Sequence, residues 1–374
     1  MNWFKRGISR LKPDKSPKTP AKHFSAWQIE LTTRCPLQCR MCPREGTDPW
    51  LPGDMKLEDF QRLVPYFQDV ETVVLEGWGE SLLHQNLLEA IRLVKDEGAR
   101  AGFVTSGKGL NREYISALIE AGVDFIGISL AGATPGIHDA IRVNSDLREI
   151  ISHIKTFNEI KAQRKTACPQ LHLIYLMLRE NIAEIPLLPE LARGVGIGEV
   201  VLTNLIQITS DWQASQGVFS LAAAPPAEFS LLIKEAELKA REGKISLRTP
   251  PLSPQKVAVC EENPLKNLYI STEGEVSPCV YLYPPVMAPF KRIFCGKEHR
   301  LQKLSFGNIF RESFPDIWQS PAYTEFRECF LQRKLVVEEM QARLQSMEGL
   351  TGFQGAALPE FPAGCCTCHK MLGL

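Results

Sequence analysis

Between residues 26 and 241, short apolar runs alternate with stretches whose apolar residues recur at three- and four-residue spacing, the pattern of strands followed by amphipathic helices. The runs predict six strands, at 27–33, 72–76, 101–105, 125–130, 171–178 and 200–204. The periodic stretches predict helices over 57–67, 86–97, 111–121, 146–162, 183–193 and 227–241. A repeat of this kind builds a parallel sheet with helices on its faces. Six units are fewer than the eight that close a full barrel, so a three-quarter barrel and an open doubly wound sheet both stand at this point. From Thr249 the pattern changes to Pro-rich, Cys-bearing segments, with short strand candidates at 268–271 and 275–278 around the turn residue Gly274. Helical periodicity returns at 331–347, and a Gly/Ala/Pro stretch over 349–364 leads to Cys365, Cys366 and Cys368. These breaks divide the chain into a tail, 1–25, a core, 26–248, and a second domain, 249–374.

With 374 residues, 44% hydrophobic and 23% charged, the chain has the make-up of a folded protein. Its longest uncharged run, 212–227, is sixteen residues and too polar for a membrane span. Lys5 and Arg6 are followed by Pro, Lys and Ser and not by an apolar stretch, so no secretory signal is read and a cytoplasmic location is expected. Forty-three basic and 43 acidic residues cancel, which argues against a nucleic-acid partner. Residues 1–23 hold seven Lys/Arg and one Asp, leaving a net charge of −6 on the remainder, so 1–25 reads as a disordered basic tail.

Eleven cysteines are an odd number and too few for a disulfide scaffold, which fits a reducing compartment. Cys168 stands alone in an apolar stretch and reads as packing; three cysteines lie at 35–42 and seven from 260 onward. The first group, Cys35-Pro-Leu-Gln-Cys39-Arg-Met-Cys42, sits in a loop after the first strand. Soft thiolates at this spacing wrap one metal centre. Structural zinc wants four protein ligands, so a zinc knuckle needs a distant fourth; a three-thiolate iron–sulfur cluster leaves one iron open.

Cys-x3-Cys-x2-Cys after a first strand resembles the radical S-adenosylmethionine superfamily. Glu76-Gly77-Trp78-Gly79-Glu80-Ser81, at the end of the second strand, is similar to that family's Gly-Gly-Glu-Pro segment, with Ser81 where Pro is usual. The resemblance implies that Cys35, Cys39 and Cys42 ligate a 4Fe-4S cluster and that Gly77, Trp78, Gly79 and Glu80 cradle S-adenosylmethionine. It further implies that Ser106 and Ser129, at the ends of the third and fourth strands, and Arg142 help hold its ribose and carboxylate. Met41 stands where many members carry an aromatic residue. All these segments fall at carboxyl ends of predicted strands, where α/β barrels place their sites, and this favours the partial (β/α)6 TIM-like barrel.

Cys260, thirteen residues, Gly274, four residues, Cys279 resembles the opening of the SPASM and twitch modules of the same superfamily, as does Phe306-Gly307-Asn308-Ile309. The resemblance implies one auxiliary 4Fe-4S cluster on Cys260, Cys279, Cys368 and either Cys365 or Cys366, the x2 spacing favouring Cys365. Cys295 and Cys329 read as buried free thiols. Tyr281, Tyr283, Glu199 and Asn204 lie near the site without a motif, and no general base is visible.

Membership of this superfamily implies an enzyme that cleaves S-adenosylmethionine to a 5′-deoxyadenosyl radical and takes hydrogen from a substrate. That substrate is expected to be a peptide or protein or an enzyme under maturation, with a small-molecule dehydrogenase as the alternative. A ferredoxin or flavodoxin is the expected electron donor. A non-enzymatic iron–sulfur electron carrier or scaffold is the reading from another class; the Gly77–Glu80 segment tells against it, since a carrier has no need of a cofactor cradle.

Overall fold

A computed structural model describes residues 22–46, 49–221, 224–345 and 358–374. Most of the predicted tail and of the 349–364 stretch lies outside the described residues. In chain order the strands are β1 (Ala26–Ile29), β2 (Gln38–Cys39), β3 (Thr72–Val74), β4 (Arg100–Thr105), β5 (Phe125–Leu130), β6 (Arg142–Val143), β7 (Gln170–Leu176), β8 (Glu199–Thr203), β9 (Ser246–Arg248), β10 (Asn267–Ile270), β11 (Val276–Ser277), β12 (Phe290–Phe294) and β13 (Lys297–Leu301). Among the described residues one nine-stranded sheet runs β11-β10-β1-β3-β4-β5-β7-β8-β9. From β10 to β9 every neighbouring pair is parallel, and β11 joins antiparallel at the edge. This is the expected partial barrel.

All six predicted strands are present, and two departures have physical causes. β9 was missed because its three residues, Ser-Leu-Arg, carry no apolar run; it is placed by register against β8, Val200 opposite Leu247. β10, from beyond residue 249, pairs with β1 from Ala26–Asn267 to Ile29–Ile270, so the Cys-rich segment contributes to the barrel sheet. β12 and β13 form a separate hairpin.

The helices follow the apolar period except where proline intervenes. The predicted helix at 57–67 is helical only over Leu57–Gln61, then a 3-10 turn from Val64 to Asp69, because Pro65 has no N–H to give. Pro186 splits 183–193 in the same way, into a 3-10 segment Ile182–Leu187 and a helix Leu188–Gly194. Leu147–Arg164 starts where Asp146 accepts from the N–H groups of Arg148 and Glu149. The helix read at 331–347 belongs to a longer one, Pro321–Gln345. One buried core joins both parts of the chain: Trp27, Phe67, Ile126 and Tyr175 share it with Leu268, Ile309, Phe314 and Phe330. No helix among the described residues is long and apolar enough to cross a membrane.

Candidate active site

β1 ends at Ile29, and the chain then turns across the carboxyl edge of the sheet into the cysteine loop. Thr33 fixes that turn, its hydroxyl donating to Leu51 O (2.8 Å) and accepting from Gly53 N (2.8 Å). Within the loop β2 pairs with β6, setting Cys39 opposite Arg142. Arg44 ties the two ends of the loop together, donating to Cys42 Sγ (3.4 Å), Cys35 O (3.2 Å) and Leu37 O (2.6 Å). Arg142 reaches Cys39 Sγ at 3.9 Å, and Gln213 Nε2 donates to Cys42 O at 2.9 Å. Burial pushes the Cys35 and Cys39 thiols up, and the Arg44 and Arg142 guanidinium groups oppose this. A cavity of about 740 Å³ opens beside Cys39 and Cys42, bordered by Arg40, Arg44, Val143 and Trp212.

The Gly77–Glu80 segment follows β3 and lies directly against this turn. A Cβ on Gly79 would stand 2.2 Å from Thr32 O and 2.7 Å from Arg34 O, and one on Gly77 would stand 2.3 Å from Glu30 Oε1. Only glycine allows that approach. Trp78 N–H donates to Glu30 Oε1 (2.6 Å), and Tyr269 OH to Glu30 Oε2 (2.7 Å), so β1, β10 and the cradle meet on one buried carboxylate. Burial lifts the Glu30 pKa to about 7 against the hydrogen bonds it accepts. Burial, with Glu262 and Glu80 nearby, also lifts Glu76 to about 7.

Glu80 is buried, and its carboxylate is engaged by the chain itself. Oε1 accepts from Thr105 Oγ1 (2.6 Å) and Leu82 N (3.3 Å); Oε2 accepts from Ser106 N (2.8 Å) and Ser106 Oγ (2.7 Å). Thus two residues expected to hold one ligand from separate strands, Glu80 and Ser106, hold each other. Ser129 sits on β5 opposite Ile174, half-buried. Trp78 Nε1 and Arg142 Nε are buried without a hydrogen-bond partner. Such donors call for an acceptor from outside the chain, as a polar cofactor supplies.

Cys260, Cys279, Cys365 and Cys368 are brought together from three distant segments. Burial pushes Cys260 up to about 12 and Cys279 and Cys365 well above the ordinary thiol value, with the neighbouring thiols of the set adding to each shift. Cys366 is exposed, its Sγ turned to Phe361 O (3.5 Å) and Pro362 O (3.7 Å), so Cys365 is the residue beside the set. Gly274, at φ +84°, lets the turn before Cys279 close against Phe310, and Asn308 clasps that turn through Glu273 O (2.9 Å) and Glu275 Oε1 (2.8 Å). Among the described residues no three His, Cys, Asp or Glu side chains converge as ligands of a single ion. Grouped soft thiolates are the donor set that holds an iron–sulfur cluster. The cysteine sets and orphan donors therefore fit iron–sulfur ligation and a polar cofactor.

Three cysteine readings are corrected or refined. Cys295 is exposed at the β12–β13 turn with φ +52°, not buried, and Cys168 is exposed before Pro169, not packed. Cys329 is half-buried on Pro321–Gln345. Of the motif-free candidates, Glu199 is bound to His172 (2.6 Å) and Arg248 (2.9 Å), which outweigh burial and keep its pKa down. Asn204 donates to Pro251 O. Tyr281 stands edge-on to Trp78, ring centroids 6.1 Å apart, and Trp78 in turn to Trp50 at 6.2 Å. Sequence reasoning missed Glu30 and Arg44. A carboxylate in the middle of the run predicted as the first strand, five residues before Cys35, was the available signal for the first; the second carried none.

Comparison with known proteins matches the Radical SAM superfamily over residues 29–192 and an iron-sulfur cluster-binding domain, SPASM, over 260–341. The chain is 25% identical over 303 residues to the tungsten-containing aldehyde ferredoxin oxidoreductase cofactor-modifying protein of Pyrococcus furiosus, covering 80% of this chain and 82% of that one. It is 24% identical over 328 residues to the AdoMet-dependent heme synthase of Oleidesulfovibrio alaskensis, covering 82% and 76%. In fold it resembles Streptococcus suis SuiB bound to S-adenosylmethionine, with a TM-score of 0.57 at 13% identity, over 82% of this chain and 68% of that chain.

Proposed function

We propose, for a chain that belongs to the radical SAM superfamily and carries a SPASM iron–sulfur domain, that it takes hydrogen from a peptide, a protein or an enzyme under maturation, with one auxiliary cluster. The observation that carries this reading is the contact between the Gly77–Glu80 segment and the cysteine loop, Glu80 N–H donating to Arg34 O beside Cys35. The cluster and S-adenosylmethionine, when bound, supply an electron and the 5′-deoxyadenosyl radical it releases.

In this reading Cys35, Cys39 and Cys42 hold the first cluster, and Arg44 keeps their loop in one conformation. Gly77 and Gly79 bring backbone close to the cofactor, Trp78 Nε1 and the Arg142 guanidinium donate to its polar groups, and Ser129 lines the site from β5. Glu80 and Ser106 lock the ends of β3 and β4, so that the cradle is formed before ligand arrives; pre-set geometry of this kind spares the ordering cost at binding. Cys260, Cys279, Cys365 and Cys368 close the auxiliary cluster, which suits electron transfer better than substrate binding. The functional division is 26–248 for the radical core and 249–374 for the auxiliary part. A ferredoxin or flavodoxin supplies the electron. The maturation substrate rests on the Pyrococcus relative's stated role as a cofactor-modifying protein.

The test is anaerobic reconstitution with iron and sulfide, addition of dithionite and S-adenosylmethionine, and chromatography for 5′-deoxyadenosine. It should form slowly without substrate and vanish in the Cys35→Ala, Cys39→Ala, Cys42→Ala chain. An iron-loaded wild-type chain that never forms it, whatever the reductant, refutes the reading in favour of an electron carrier.

A further inference from the structure

Arg292 is among the largest fully buried side chains, 1% exposed, on β12 of the small hairpin. Its three nitrogens donate to Gln207 Oε1 (3.2 Å), Gly364 O (3.3 Å) and Tyr281 O (2.7 Å), and its guanidinium carbon lies 5.7 Å from the Phe290 ring centroid. All three acceptors are uncharged. Among the described residues this arginine therefore has no carboxylate partner, although a buried charge left uncompensated is costly. The half-buried Lys370, by contrast, pairs with Glu261 at 2.8 Å, while the buried Arg333 likewise donates only to backbone carbonyls, those of Val257, Ala258 and Pro359.

The acceptors tell what the charge faces. Tyr281 is two residues after Cys279, and Gly364 immediately precedes Cys365. The guanidinium thus bridges two of the segments that carry the auxiliary thiols, and it holds the C-terminal piece to the hairpin. The next residue, Ile293, donates its N–H to Ile208 O (2.8 Å) and packs with Leu37, Cys39 and Met41 of the first cysteine loop. The hairpin therefore joins the surroundings of both cysteine sets.

We propose that Arg292 is the counter-charge and the clasp of the auxiliary cluster, its buried guanidinium offsetting the negative charge of an iron–sulfur centre with four thiolate ligands. This rests on the auxiliary-cluster reading above. A fixed positive charge beside such a centre favours its reduced, more negative state. Its two carbonyl bonds also hold the Cys279 and Cys365 segments at a set separation. Arg292 is a positioning residue, acting on the cluster and not on substrate.

The experiment uses the full chain carrying Cys35→Ala, Cys39→Ala and Cys42→Ala, reconstituted so that only the auxiliary centre assembles, with about four irons per chain expected. In that background Arg292→Gln and Arg292→Lys are compared by iron and sulfide content, loss of iron to a chelator, and electron paramagnetic resonance during a redox titration. Arg292→Gln should lower the ratio of reduced to oxidised cluster at fixed potential roughly ten-fold, 59 mV for a one-electron couple. Arg292→Lys should keep the parent's ratio within about three-fold, because the charge remains, yet lose iron to the chelator faster than the parent and more slowly than Arg292→Gln, because one ammonium keeps the charge but cannot hold both carbonyls in the guanidinium's fixed fork. An unchanged ratio in Arg292→Gln, or a fall as large in Arg292→Lys, overturns the counter-charge. If Arg292→Gln holds no iron, Arg292→Lys decides: loaded at the parent's potential it supports the proposal, and equally empty it overturns it. A parent chain that binds no iron removes the auxiliary-cluster reading itself, and the inference with it.

Discussion

Glu80→Gln should weaken the chain before any cofactor is added. The buried carboxylate accepts from Thr105 Oγ1, Leu82 N, Ser106 N and Ser106 Oγ, and it joins the ends of β3 and β4. Hydrogen bonds to a charged group contribute about 1.5–3 kcal/mol each, and they are not additive. A glutamine keeps one oxygen, which the Ser106 N–H and hydroxyl retain. Its amide nitrogen then faces Thr105, whose hydroxyl can turn to accept, and Leu82 N–H, which cannot. The loss is one long bond plus the charge assistance in the others, about 1–2 kcal/mol. Glu80→Ala leaves the Ser106 and Leu82 N–H groups and both hydroxyls without their acceptor, about 3–5 kcal/mol. Urea unfolding of the metal-free, reduced chain, followed by circular dichroism, measures both, and the midpoints should fall in the order wild type, Gln, Ala. If Glu80→Ala unfolds within about 0.5 kcal/mol of wild type, the network contributes nothing, and Glu80 acts on ligand alone.

Glu30, with its pKa at about 7 in the fold against an ordinary 4.5, binds its proton more tightly folded than unfolded. Its contribution to stability is thus complete below pH 4.5 and is lost as pH rises through 7, about 3 kcal/mol over that window; Glu30→Gln should flatten the pH dependence of the urea midpoint there, and an unchanged slope refutes the assignment. Gly79→Ala would press a methyl onto Thr32 O and Arg34 O, backbone atoms that cannot turn aside; about 3 kcal/mol of destabilisation and loss of iron from the first site are expected, and a wild-type thermal midpoint with full iron contradicts the packing argument. In the chain lacking Cys35, Cys39 and Cys42, Cys366→Ser should keep its iron and Cys365→Ser should lose it, because Cys366 faces away from the thiol set; the reverse result would exchange the two residues.

Much of the architecture was legible because it is written in local patterns. A strand's apolar run, a helix's period and Asp146 before Leu147 act over a few residues, and the six central strands follow from them. Proline marked the places where period alone misled, at Pro65 and Pro186, since a missing N–H is a property of the residue itself. The Cys35–Cys42 and Gly77–Glu80 segments were equally readable: thiol spacing and glycine-rich turns at strand ends constrain the chemistry within a single loop.

Tertiary structure alone decided the rest, because the deciding partners are far apart in the chain. Glu30 became a buried junction only when Trp78 and Tyr269, 48 and 239 residues away, donated to it. β9 and β10 owe their places to sheet register, and β10 ties the Cys-rich segment to the barrel at β1. The spacing favoured Cys365 over Cys366, but that Cys365 is buried and Cys366 exposed was set by the fold of the last turn, and nothing in the sequence set Arg292 apart from the chain's other arginines. Composition and spacing determine which groups a chain offers; burial determines which charges need compensation, and burial is a property of the folded whole.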